Sequence, residues 1–229
     1  NRVAPLQKCI ASLFNQSLRP KEIIIVDDAS DEKDFVKAMN SVSGSSKSQA
    51  THANLIYLRN KRRQGVTKSR NLGIAASSGE IIAFIDDDGY AHRHWLHNLA
   101  RHYKNKSVAG VGGAVVEVER AADMNKNAKR PSRITAKGDI IHNYRVKSLK
   151  EARLMKASPV KFLMGGNMSF RRNTLIRLHG FDMRFKGNAY REETDMCLRV
   201  AKKGKIIFEP KAIAYHNTAK QGGTRDIST

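Results

Sequence analysis

The chain is short of cysteine, aromatic residues, acidic residues and long apolar runs, and each shortage excludes something. Cys9 and Cys197 are the only cysteines in 229 residues. They lie far apart with no metal-ligand spacing, which argues against a disulfide framework and suits a reducing cytosol. Aromatic residues make up 7% of the chain and are not interleaved with its basic runs. Base-stacking elements that would make it a specific nucleic-acid binder are therefore not visible, and basic stripes alone bind nucleic acid non-specifically. No apolar run reaches the ~18 residues of a membrane-spanning helix. No signal peptide and no internal repeat is evident. The acidic shortage is the largest: 21 Asp and Glu stand against 42 Lys and Arg, a formal charge of +21.

Such a balance implies anionic partners, among them nucleotide diphosphates, lipid phosphates and anionic membrane surfaces. The excess is uneven. Arg120 to Lys161 holds twelve basic and three acidic residues, and Arg59 to Arg70 holds six basic and no acidic ones. Many of these also fit a merely solvated surface.

The chain is long enough for one sizeable core. Apolar spacing predicts a helix over Pro5 to Gln16, a strand over Glu22 to Val26 ending in Asp27-Asp28, and a short helix over Asp31 to Met39. A Ser-rich loop over Ser41 to His52 precedes a strand over Leu55 to Leu58 and a helix over Thr67 to Ala76 after the Gly65 turn. A strand follows over Glu80 to Ile85, then a helix over His92 to Tyr103 and a long strand over Val108 to Val118. This alternation predicts an α/β fold with a mostly parallel sheet and crossover helices. The pattern then changes. A basic loop is expected over Ala121 to Lys137 and a helix over Arg145 to Lys156. The Gly165-Gly166-Asn167 turn lies within Phe162 to Phe170, and a helix over Glu192 to Lys203 precedes strands over Ile206 to Phe208 and Ala212 to Tyr215.

Asp86, Asp87 and Asp88 close the apolar run Ile81-Ile82-Ala83-Phe84-Ile85. A buried strand would deliver these carboxylates to the rim of the sheet, where open α/β sheets bind ligands. Clustered carboxylates repel one another and attract a cation, and hard oxygen ligands suit Mg²⁺ or Mn²⁺ shared with substrate phosphates. A calcium loop counted from Asp86 would need ligands where Tyr90, His92, His94 and His97 stand, so that reading fails. A second acidic group, Glu192-Glu193-Thr194-Asp195, opens the last long helix. A carboxylate there suits a general base, and it equally suits the helix dipole. Asp195 and Arg199 also read as a plain i,i+4 pair. His216 follows a strand, as a structural histidine or as a ligand completing a metal site.

Taken in order, these segments resemble the family 2 glycosyltransferases of the GT-A fold. The matching pieces are Ser12-Leu13-Phe14-Asn15-Gln16, Ile24 to Ser30, Ser69-Arg70-Asn71-Leu72-Gly73, Ile85-Asp86-Asp87-Asp88, Gly166 to Arg171, Glu192 to Asp195 and Tyr215-His216. The resemblance implies a Rossmann-like, mostly parallel central sheet flanked by helices, with a smaller acceptor-side region in the C-terminal half. Residues 1–229 would form a single domain, with 1–118 the nucleotide half and 119–229 the acceptor and catalytic half. It also implies roles. Asp28, beside Asp27, contacts the nucleotide base. Arg70 lies near base and diphosphate. Asp87, with Asp86 as neighbour, meets the ribose. Asp88 ligates the metal, joined by His216. Glu193 stands where the family has its catalytic base, usually an Asp, with Glu192 and Asp195 as the neighbouring carboxylates. Gly165, Gly166 and Asn167 line donor sugar and acceptor. Family members begin with a strand whose closing turn touches the base; this sequence starts at Asn1-Arg2, where that turn should be finishing, so that strand is expected to lie outside it.

The implied reaction is inverting transfer of a sugar from a UDP-, GDP- or dTDP-sugar to a hydroxyl of a saccharide or lipid-linked acceptor, dependent on Mn²⁺ or Mg²⁺. The implied location is cytoplasmic, with the basic segment meeting a lipid phosphate or the anionic inner face of a membrane. The competing readings are a nucleotidyltransferase that makes sugar nucleotides, a basic nucleic-acid-binding protein, and a catalytically inactive relative used as a binding module.

Overall fold

The structure is a computed structural model that describes residues 3–31, 53–117, 133–134, 137, 140–141, 144–187 and 189–217. The helix expected from Asp31 to Met39 and the loop from Ser41 to His52 fall outside these residues, Asp31 excepted. So does most of the loop expected over Ala121 to Lys137.

Helix α1 spans Val3–Phe14 and buries Cys9 and Ile10. Strands β1 (Glu22–Asp27) and β2 (Asn54–Arg59) pair in parallel, from Glu22 opposite Asn54 to Asp27 opposite Arg59. They form a two-stranded sheet of their own. Helix α2 spans Val66–Ala76, and Gly65 precedes it with φ 89°. After β3 (Ile81–Ile85) the chain turns at once into β4 (Gly89–Ala91), a strand the sequence reading missed. Helix α3 (Trp95–Ala100) tightens into a 3-10 turn over Arg101–Lys104, and β5 spans Val108–Glu117. Two short strands, β6 (Arg133–Ile134) and β7 (Ile140–Ile141), pair antiparallel, so Arg133 and Ile134 of the expected basic loop lie in a strand. There follow β8 (Arg145–Val146), α4 (Leu149–Leu154), β9 (Ser158–Val160), β10 (Asn167–Arg171), α5 (Arg172–Arg177), α6 (Glu192–Ala201) and β11 (Lys205–His216). The two strands expected at the end are one, with an irregular register between Glu209 and Ala214.

The main sheet has seven strands in the order β3-β10-β5-β11-β4, with β8 beside β5 and β9 beside β11. It is mixed, and this corrects the expectation of a mostly parallel sheet. β10 runs antiparallel to both β3 and β5, and β11 antiparallel to β4 and β9. Only β5 with β11 and with β8 are parallel in it. The reason is which strands meet. β3 and β4, joined by the aspartate turn alone, do not pair with each other; strands from the C-terminal half, β10 and β11, pair with them and run against them.

Two apolar layers cover the sheet. One holds Phe162, Leu163, Met168, Phe170, Phe181, Met196 and Phe208 under α5 and α6. The other holds Trp95, Leu99, Tyr103, Val108 and Val111 under α3. Strand alternation sorts β10 between them: Met168 and Phe170 take the first layer, so Asn167 and Ser169 face the second. Both polar side chains are buried and hydrogen-bonded there, Ser169 Oγ donating to Val111 O at 2.7 Å and pairing with Tyr103 Oη at 2.9 Å.

Candidate active site

The aspartates form a tight turn. Gly89 N donates to Asp86 O at 3.0 Å, which places Asp87 at the tip and returns Asp88 toward the sheet. Asp88 is buried. Two neighbours hold the turn. Cys9 Sγ donates to Asp86 O at 3.6 Å from α1. Asn217 N donates to Asp88 O at 3.0 Å after β11. Burial, reinforced by the field of Asp87, Asp86 and Asp88, pushes the Cys9 thiol up to about 12, so it stays protonated.

β11 carries His216 to the same rim, opposite Gly89 on one side and Glu117 on the other. His216 Nε2 lies 3.3 Å from Asp88 Oδ1, and Nδ1 lies 3.2 Å from Glu117 Oε2. Hydrogen bonds to Asp88 and to Glu117 raise the imidazole to about 9. Asp86, Asp88 and His216 bring one ligand atom each within 4.8 Å of one another. A place that favours imidazolium so strongly stabilises positive charge, and two carboxylates with one imidazole are a donor set that Mn²⁺ or Mg²⁺ accepts. The residues therefore fit a divalent cation. Asp86, expected beside the ribose contact, belongs to this cluster as well.

Arg70, on α2, joins the cluster to α6. Its guanidinium pairs with Glu192, lies 3.8 Å from Asp86 Oδ1 and donates to Gly165 O at 3.4 Å. It sits over the ring of Phe181, 5.2 Å from the centroid. Burial pushes Glu192 up to about 7, against the opposing pull of Arg70. Its Oε2 is buried with no hydrogen-bond partner among the described residues. Glu193 follows in the same first turn, half-buried, its Oε1 3.5 Å from Thr194 Oγ1. No side chain caps this helix; it starts after Arg191 in the left-handed region, φ 73°, with Glu192, Glu193 and Asp195 at its positive end.

Gly166 lies against Asp86: a Cβ there would stand 2.5 Å from Asp86 Oδ2. Asn167 does not line the site with its side chain. Its amide donates to Ala114 O and Ala212 O, both at 2.9 Å, and its Oδ1 accepts from Trp95 Nε1 at 2.8 Å. The alternation of β10 dictates this, since Met168 claims the opposite face. Asp195 is also committed elsewhere, pairing with Arg199 at 2.8 Å.

Asp27 ends β1 and Asp28 follows it. Asp27 accepts from Tyr57 Oη at 2.8 Å and Ser30 N at 2.9 Å. Burial would raise it, but these bonds and nearby Arg59 hold it below the usual carboxylate range. Asp28 Oδ1 accepts from Asn60 Nδ2 at 2.7 Å and Gln64 N at 2.8 Å, and Oδ2 from Gly65 N at 2.7 Å. Asp28 thus ties β1 to the start of α2 and keeps lone-pair capacity for one more donor.

Two residues at the site escaped the sequence reading. Glu117, ending β5, is 3% exposed and bridges His216 to Arg145, whose Nη1 lies 3.0 Å from Glu117 Oε1. Both line a cleft that also exposes Asp86, Gly166, Tyr215 and His216. An acid inside a strand otherwise apolar to its end was the available sign.

The fold belongs to the GT-A class. The structure superposes on GalNAc-T7 with UDP, GalNAc and Mn2+ at a TM-score of 0.70, with 16% identity, covering 94% of this chain and 41% of the other. It superposes on the mannosyltransferase PcManGT from Pyrobaculum calidifontis, in complex with GDP-Man and Mn2+, at 0.67 with 18% identity, covering 97% of this chain and 55% of that one. The sequence model of Glycosyl transferase family 2 matches residues 1–178, and the chain belongs to that family. The matched part contains Asp28, Arg70 and Asp86 to Asp88; Glu193 and His216 lie beyond it. A pre-mycofactocin glycosyltransferase of Mycobacterium tuberculosis is 25% identical over 210 residues, 90% of this chain and 39% of its own length. A glucosyl-dolichyl phosphate glucuronosyltransferase of Haloferax volcanii is 24% identical over 222 residues, 94% of this chain and 65% of its own. The chain thus spans 39% and 65% of the length of these two relatives.

Proposed function

We propose that this protein transfers a sugar from a nucleotide-sugar donor to an acceptor hydroxyl, with inversion and with help from a divalent cation. The observation that carries the reading is the convergence of Asp86, Asp88 and His216 within 4.8 Å, beside an arginine that spans to the helix bearing Glu193. Neighbours of the same fold hold UDP with Mn2+ and GDP-Man with Mn2+, which supports a nucleotide-sugar donor and favours Mn²⁺ as the first cation to try.

In this reading Asp88, His216 and Asp86 hold the cation, which when bound supplies Lewis-acid neutralisation of the leaving diphosphate. Asp28 takes a donor group of the base with its remaining acceptor capacity, and Asp87 and Asp86 meet the ribose. Arg70 adds positive field beside the diphosphate. Glu193 accepts the proton of the acceptor hydroxyl as its oxygen attacks the anomeric carbon from the face opposite the diphosphate. The new C–O bond forms as the bond to the diphosphate breaks, and the electron pair leaves with the nucleotide. Glu192 holds Arg70 and leaves the proton transfer to its neighbour. Residues 1–118 carry the donor, and residues 119–229 carry the acceptor and the base. The acceptor is a saccharide or a lipid-linked saccharide, a reading helped by the lipid phosphate in the Haloferax relative's name. Exposed Lys147, Lys150, Arg153, Lys156 and Lys161 then face anionic lipid.

A screen of UDP-, GDP- and dTDP-sugars with Mn²⁺ or Mg²⁺, reading released nucleoside diphosphate, tests the proposal. One donor should turn over, and Asp88→Ala should lower the rate at least about 100-fold. Release of pyrophosphate would identify a nucleotidyltransferase. Cation-independent turnover, or an Asp88→Ala protein of wild-type rate, would sink the assignment of the cation site.

A further inference from the structure

β5 is buried along its whole length, and Glu117 is its only charged position. A buried carboxylate is costly unless it is paired. Three strands supply the pairing. In the parallel ladder of β5 and β11, Glu117 stands opposite His216. In the ladder of β5 and β8, Val116 stands opposite Val146, so Arg145 comes alongside. The result is a row of four groups, Arg145–Glu117–His216–Asp88, with separations of 3.0, 3.2 and 3.3 Å. The row ends in the cluster proposed to hold the cation.

We infer that Glu117 is a positioning residue for His216: its carboxylate accepts the Nδ1 hydrogen, which orients the ring and leaves Nε2 to face Asp88 and Asp86 as a cation ligand. An imidazole whose far nitrogen donates to a carboxylate is fixed in tautomer and is a stronger ligand, and losing such a partner typically weakens metal binding by about 10- to 100-fold. Arg145 contributes an ion pair to the other oxygen of Glu117, which favours the carboxylate orientation that faces the ring. A purely structural Glu117 that only neutralised Arg145 would not need Oε2 within hydrogen-bond distance of Nδ1. The inference rests on the proposed cation site.

The experiment is a Mn²⁺ titration followed by the electron paramagnetic resonance of the free ion, with unfolding curves for every variant. Glu117→Ala should weaken Mn²⁺ binding by about 10- to 100-fold. Glu117→Gln, which keeps one oxygen able to accept from Nδ1, should recover most of that. On a His216→Ala background, Glu117→Ala should change affinity by less than about twofold, because its effect passes through the ring. Wild-type affinity in Glu117→Ala would overturn the inference, as would a loss of equal size with and without His216. Should Glu117→Ala fail to fold, the same comparison made with Glu117→Leu, which fills the space but offers no acceptor, decides: a larger loss with His216 present than absent upholds the inference, and equal losses overturn it. If the wild type binds no Mn²⁺, or Asp88→Ala binds as well as wild type, the cation site itself falls. If Asp88→Ala loses binding and Glu117→Ala does not, only the role of Glu117 falls.

Discussion

Glu192 and Glu193 open the same helix and are adjacent in sequence, but their surroundings give them different chemistry. Glu192 is 5% exposed and pairs with Arg70, and burial lifts it to about 7. A carboxyl whose folded pKa lies above its unfolded value binds its proton more tightly in the native state. Its contribution to stability is complete below the ordinary glutamate range and is lost as pH rises through about 7. The effect is at most on the order of 3 kcal/mol. Unfolding in denaturant between about pH 5 and about pH 8 should show wild type losing stability relative to Glu192→Gln. Parallel pH profiles would mean that the Arg70 pair keeps Glu192 ionised throughout. Among the described residues no arginine or lysine pairs with Glu193, which is half-buried. Glu193→Gln should therefore lower transfer by about 10²- to 10⁴-fold while calorimetric donor affinity stays at the wild-type value, because shape is kept and only the proton acceptor goes. Loss of donor binding in step with turnover would move the base to another carboxylate.

At the scale of elements, Gly113 and Gly166 are both places without room for a methyl group, with different consequences. A Cβ on Gly113 would stand 1.7 Å from the backbone oxygen of Ala212, so β5 and β11 would have to part. Gly113→Ala should destabilise by about 3 kcal/mol or more. A Cβ on Gly166 would meet only the end of the Asp86 side chain. Gly166→Ala should keep the fold and weaken Mn²⁺ binding, and equal drops in melting temperature for the two variants would refute the distinction. β1, β2, α2 and β3 were legible because each is a run of regular apolar spacing between turns. The region from Arg145 to Lys156 was not read as it folds. Val146 lies at helical spacing from Leu149, yet it is buried in β8 against β5, and the helix starts only at Leu149. Ser148 Oγ accepts from Glu151 N there, and the Ser-x-x-Glu signature that marks this start was present in the sequence. The aspartates stood out because carboxylates after a strand advertise their chemistry locally, whereas His216 was tied to them by the family resemblance, and the structure places it beside Asp86 and Asp88. Glu117 and Arg145 were not, because strand register alone makes them neighbours of His216. Asn167 looked like a site residue beside Gly166, and the two-residue period of β10 turns it inward.

For the whole molecule, the long-range field is positive while the candidate site is a pocket of carboxylates. In the proposed reaction a donor diphosphate would be attracted from afar and accepted up close only once a cation and Arg70 offset those carboxylates. The same field bears on surfaces. Around α4, Lys147, Lys150, Arg153, Lys156 and Lys161 are exposed, with Leu154 79% exposed among them. Among the described residues no helix is long and apolar enough to cross a membrane, so any attachment through this face would lie on the surface. Each basic side chain near an anionic bilayer is worth about 1 kcal/mol, and the attraction falls off within a Debye length. Flotation with phosphatidylglycerol vesicles should carry the protein at low salt and release it at about 0.5 M salt. Replacing Lys147, Lys150, Arg153 and Lys156 by Gln should weaken binding by at least about 100-fold if each contribution is near that size. Equal partition onto phosphatidylcholine vesicles, or a quadruple variant that floats like wild type, would mean that this face does not meet the membrane and that its charge serves only to draw anionic substrates toward the cleft.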